Sequence, residues 1–89
     1  MSYELLYSKK AEKQLAHMDA NKRRILVAWL TKHIKGSENP RALGSPLKAG
    51  HKGKWRYRIG TYRVLAKIDD EALIVLALEI GHRRDVYRL

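Results

Sequence analysis

The sequence predicts an α+β fold: an antiparallel sheet, made of a short N-terminal strand and a three-strand C-terminal meander, packed by an N-terminal helical hairpin. Three observations lead there. Apolar residues recur at helical spacing between Lys9 and Lys35. Residues 54–80 break into three runs rich in β-branched, aromatic and aliphatic residues, separated by turn residues. Between these halves, residues 36–53 hold four Gly and both prolines, Pro40 and Pro46, and read as a loop.

Each element follows from local chemistry. Residues 3–7 form a short aromatic and aliphatic strand. Ser8 is placed to cap a helix from Lys9 to about Met18, with Ala11, Leu15 and Met18 on one face. Asp19 can cap a second helix from Ala20 to Lys35, whose stripe is Ile25, Trp29 and Ile34, widened by Leu26 and Leu30. Gly36 suits its C-terminal end. The long loop is expected to be functional, or ordered through Leu43 and Leu47.

The strands are expected at Lys54–Ile59, Tyr62–Ile68 and Ala72–Ile80. Gly60-Thr61 is a two-residue connection with Gly first, as a type II′ hairpin requires. Asp69-Asp70-Glu71 forms the second turn, and Gly81 is expected to end the last strand. Residues 1–89 are read as a single domain.

Charge dominates the composition. Nineteen Lys and Arg against nine Asp and Glu give a net charge of +10 in 89 residues. Self-repulsion of this size opposes compaction and points to a polyanionic partner. Nucleic acid comes first, then an anionic membrane, then an acidic protein. No run approaches the roughly 18 apolar residues that span a bilayer. The N-terminus is too short and polar for a signal peptide, so a cytoplasmic protein without membrane contact is expected. The chain has no Cys, so disulfides and thiolate chemistry are excluded.

The two-residue turn fixes the register of the hairpin it joins. It pairs Ile59 with Tyr62, Arg58 with Arg63, Tyr57 with Val64 and Arg56 with Leu65. Alternation then puts Trp55, Tyr57, Ile59, Tyr62, Val64, Ala66 and Ile68 on the core face. Arg56, Arg58 and Arg63 share the other face with Leu65 and Lys67. Like charges opposed across a ladder are destabilising. A shared anion, most simply a phosphate, gives them a purpose, although a solvated basic face is the bland alternative.

The tail supplies Arg83, Arg84 and Arg88, with Tyr87 available to stack on a base. His82 and Arg83 are expected to reach the arginine face. Lys52, Lys54, Lys67, Arg84 and Arg88 complete the expected nucleic-acid contacts.

No cofactor or metal is expected, because His17, His33, His51 and His82 lack paired ligand spacing. Metal-free RNA cleavage suits such a patch. The 2′-OH attacks its own neighbouring phosphorus, while the protein aligns it, moves protons and neutralises the transition state. Arginine suits the last task and serves proton transfer poorly. His82 and Tyr87 are better acid–base candidates. Glu79 lies on the arginine face if the preceding turn has three residues, and faces the core if it has two.

Two segments then resemble a known family. Lys54-Trp55-Arg56-Tyr57-Arg58-Ile59-Gly60-Thr61-Tyr62-Arg63 and Gly81-His82-Arg83-Arg84-Asp85-Val86-Tyr87 are similar, in order and spacing, to the RelE/ParE toxin superfamily. The resemblance implies an α+β RelE-like fold and a type II toxin. Its RelE-type activity is metal-independent cleavage of mRNA in the ribosomal A site, with an acidic RelB-like antitoxin through which the toxin oligomerises. Carried over by motif, Arg63, Arg83 and Tyr87 match the family's functional positions. Arg56 and Arg58 fall where RelE-type members often have lysines, the second being the usual general base. Arginine there keeps phosphate binding, and His82 can supply the proton transfer. The resemblance leaves two alternatives: a ParE-type gyrase inhibitor without catalysis, and a plain RNA-binding module.

Overall fold

Ser8 starts the helical layer as expected. Its hydroxyl accepts from the Ala11 amide at 3.0 Å, and α1 runs over Lys9–Ala16. The Asp19 carboxylate accepts from the Asn21 and Lys22 amides and opens α2, Ala20–His33. This computed structural model describes residues 1–47 and 53–82. The strands are β1 (Glu4–Tyr7), β2 (Ser45–Pro46), β3 (Lys54–Ile59), β4 (Tyr62–Asp69) and β5 (Ile74–His82), in the sheet order β1-β5-β4-β3-β2.

The sheet is mixed. The meander β3-β4-β5 is antiparallel, but β1 joins the edge of β5 in parallel, with Leu5 opposite Val75 and Tyr7 opposite Ala77. No turn links β1 to β5, so no local signal carried the direction of that pairing. The two-residue β2 adds a further edge inside the expected loop.

Both helices cover one face of the sheet. Ala11, Leu15, Leu26, Leu30 and Ile34 pack against Tyr57, Ile59, Val64, Ala66, Ile68, Val75, Ala77 and Ile80. Trp29 is partly buried there, but Ile25, expected in the same stripe, is 62% exposed. The inward arc therefore centres on Leu26, Leu30 and Ile34, all within the expected stripe, and leaves out Ile25. Each fully buried Leu or Ile contributes about 1.5–3 kcal/mol by leaving water.

Side chains of β3 hold the described part of the loop before it. The Tyr57 hydroxyl donates to the Pro40 carbonyl at 2.6 Å, and the Trp55 indole donates to the Leu43 carbonyl at 2.7 Å. Arg41 forms a two-armed ion pair with Asp70, and the Tyr3 hydroxyl donates to the same carboxylate. No helix among the described residues is long and apolar enough to cross a membrane.

Candidate nucleic-acid interface

The β3–β4 hairpin has the register that its turn dictates. Gly60 takes φ +60, as the first position of a II′ turn needs, and Arg58 pairs with Arg63. Arg56 pairs with Leu65, and Lys54 with Lys67. The face turned away from the helices thus carries two directly opposed like-charge pairs in one ladder.

Their exposure differs. Arg58, Lys54 and Lys67 are exposed, whereas Arg56 is partly buried and its guanidinium donates to the Ser45 hydroxyl of β2 at 3.2 Å. Arg63 keeps 3% of its surface and Leu65 6%. A guanidinium this buried requires matching acceptors or opposite charge, so Arg63 is a built-in part of the face.

A bulge in β5 sets what lies beside these residues. Leu65 opposes Glu79, but Ala66 opposes Ala77, so Leu78 is the extra residue. Asp69 pairs with Ile74 around a turn of residues 70–73, with Leu73 at φ +56. The bulge, more than the turn, brings Glu79 into the row of Arg56 and Leu65. Its carboxylate forms an ion pair with Lys10 of α1. The strand does not stop at Gly81: Gly81 pairs with Arg63, and His82 with Tyr62.

That last pair places His82 apart from the arginines. Tyr62 belongs to the core-facing set, and the His82 ring meets it edge-on at 5.9 Å between centroids. His82 therefore stands on the helix side of the sheet, and the expectation that it reaches the arginine face is corrected by the bulge. The structure brings Arg56, Arg58, Arg63, Lys54 and Lys67 together. Lys52, Arg83, Arg84, Tyr87 and Arg88 lie outside the described residues. No group of three potential metal ligands occurs among the described residues.

The helix layer also seals the edge of β5 beyond the end of β1. The Ser8 amide donates to the Ala77 carbonyl, the Ser8 hydroxyl to the Leu78 carbonyl, and the Ile80 amide to Gln14 Oε1 at 2.6 Å. Sequence patterning had no signal for this seal, because Ser8 and Gln14 act on carbonyls and amides more than sixty residues away.

Two helices on a five-strand mixed sheet match the fold of solved RelE toxin structures. The chain belongs to the RelE/ParE superfamily: the family model described as the ParE toxin of the type II toxin–antitoxin system, parDE, matches residues 5–87. Toxin RelG of Mycobacterium tuberculosis is 44% identical over 52 residues, which are 58% of this chain and 60% of that relative. The match thus spans less than two thirds of the curated relative. Among solved structures, the toxin–antitoxin complex RelBE2 from Mycobacterium tuberculosis is similar at a TM-score of 0.78 and 28% identity, over 93% of this chain and 100% of that one. A mutant of the Escherichia coli toxin RelE in the free state shares the fold, with a TM-score of 0.73, 22% identity, and coverage of 99% and 93%. The chain is a type II toxin–antitoxin toxin of this superfamily.

Proposed function

We propose that this toxin is an endoribonuclease that cuts mRNA in the ribosomal A site without a metal. The observation that carries this reading is the opposition of Arg58 and Arg63, flanked on the same face by Arg56, Lys54 and Lys67. Opposed cations are costly in a free sheet and useful around a phosphate. In the reaction, the substrate 2′-OH attacks the adjacent phosphorus, the 5′-oxygen leaves and a cyclic phosphate forms. Arg58 neutralises the charge that grows on the non-bridging oxygens, Arg63 adds its positive field from within the sheet behind it, and Arg56 holds a flanking phosphate. Arg83 and Tyr87 join this set on the strength of the motif, with Tyr87 as the acid–base or stacking group. Lys52, Arg84 and Arg88 extend the RNA contacts. His82 is left out of the catalytic set because of its place beside Tyr62.

The set is rich in phosphate ligands and poor in proton carriers. Alignment by the ribosome makes up the difference, since pre-orientation alone removes much of such a barrier. The same cationic face fits an acidic antitoxin segment that folds on binding; the relative RelBE2 is itself a toxin–antitoxin complex. Placement in the cytoplasm follows from a ribosomal target.

A translation extract programmed with one mRNA tests the proposal. Wild-type toxin is expected to arrest synthesis and shorten the message, and Arg58→Ala to do neither. Arrest with an intact message supports a plain RNA-binding module, and no arrest at all supports the ParE-type gyrase inhibitor without catalysis, a reading that the scarcity of acid–base groups beside the arginines favours.

A further inference from the structure

On the helix side of the sheet, beyond the end of the core, lies an open groove of about 500 Å³ between α1 and the ends of β4 and β5. Met18 and Ile80 make its apolar floor. Tyr62 and His82 line it from the strands as an edge-on ring pair, and Lys10 and Lys13 of α1, with His17 just beyond its end, line it from the helix. This lining combines what single-stranded nucleic-acid sites use: an aromatic surface on which a base can lie, and cations at the reach of its phosphates. Gln14 also lines the groove, with its Oε1 held by the Ile80 amide. Lys10 is likewise held, by Glu79.

The groove and the arginine face meet at one end of the sheet. Tyr62–His82 and Arg63–Gly81 are successive rows of the same β4–β5 ladder, and alternation sends their side chains to opposite faces. We propose, building on the ribonuclease reading, that this groove is a second RNA subsite. It takes one unstacked nucleotide of a strand that rounds the end of the sheet from the arginine face, with the base against Tyr62 and His82 and the phosphate against Lys13 and His17. The ligand class is single-stranded RNA, read by stacking and charge with little base preference.

The test uses the full chain and a 2′-O-methyl hexanucleotide carrying 4-thiouridine, which lacks the attacking hydroxyl and stays uncut. Affinity is followed by fluorescence anisotropy, and photo-crosslinks are mapped by mass spectrometry. Lys13→Glu on the exposed face of α1 is expected to weaken binding about tenfold, and crosslinks are expected in the peptides that carry Met18, Tyr62 or His82. Lys32→Glu, an equal charge change on α2, is expected to have a much smaller effect. Equal losses from the two charge reversals, or crosslinks confined to the arginine-face residues, overturn the subsite. The arginine face is judged separately by Arg58→Ala. If that variant alone loses binding, the groove is refuted and the ribonuclease reading stands. If Lys13→Glu alone loses binding and the crosslinks map to the groove, the subsite stands and the arginine face fails.

Discussion

Arg58 and Arg63 face each other across the β3–β4 ladder, yet Arg58 is exposed and Arg63 keeps only 3% of its surface. One site therefore contains two kinds of arginine, a solvent-facing ligand and a structural one. Arg58→Ala is expected to keep or slightly raise stability, because it relieves a like-charge contact, while toxicity falls about a hundredfold or more. Arg63→Ala is expected to lose activity and about 1–3 kcal/mol of stability together, because its bonding partners are left buried. Urea denaturation alongside a growth-arrest assay separates the two. Equal stability losses would show that burial does not distinguish them.

Gly44 holds the start of β2 against β3. It adopts φ +80, and a Cβ there would meet the Arg56 carbonyl oxygen, with Trp55 Nε1 at 2.7 Å and Tyr57 Cδ1 at 2.9 Å. Gly60, at φ +60, has open space around it. Gly60→Ala is thus expected to cost only the backbone strain, of order 1–2 kcal/mol, and Gly44→Ala clearly more. Urea midpoints of the two variants check the order; a reversed order contradicts the packing of β2 on β3.

The seal on the β5 edge predicts a stability effect from a half-buried glutamine. Gln14→Ala leaves the Ile80 amide without its acceptor and is expected to cost about 1–3 kcal/mol. Amide exchange at Ile80 should accelerate selectively. An unchanged exchange rate would show that the Gln14 contact is dispensable.

Asp70 makes a prediction about pH. Hydrogen bonds from Arg41, then from Tyr3, hold its carboxyl below the ordinary 3.8. A depressed folded value means that the stabilisation is full above that ordinary range and is lost as the pH falls through the folded value. The melting temperature of the wild type should therefore drop more steeply below about pH 4 than that of Asp70→Asn. Because the pair is exposed, the difference should shrink in high salt. Parallel curves for the two proteins at acid pH would contradict the link.

The most legible part of the fold was the hairpin of β3 and β4, because a two-residue turn leaves one register and that register sorts every side chain by face. The helix caps at Ser8 and Asp19 were equally local. The site beyond that hairpin was less legible. A single bulge at Leu78 decided the neighbours of Arg63 and moved His82 to the side of Tyr62, and nothing in the aliphatic run of β5 marks where an extra residue sits. The burial of Arg63 was hidden for another reason: alternation assigns a face, and whether that face is covered depends on distant chain. Ile25 shows the limit of helical periodicity, since Ile25 and Leu26 are adjacent and apolar and only packing chooses between them.

On the proposed function, the opposed arginines serve RNA cleavage on the ribosome. Primer extension on a defined mRNA, held on ribosomes with an empty A site and compared with the same RNA naked, tests it most directly. The prediction is a strong cut within the A-site codon with wild-type toxin, none with Arg58→Ala, and hardly any cut in naked RNA. Equally fast cleavage of naked RNA, or an uncut A-site codon with the wild-type protein, would contradict it.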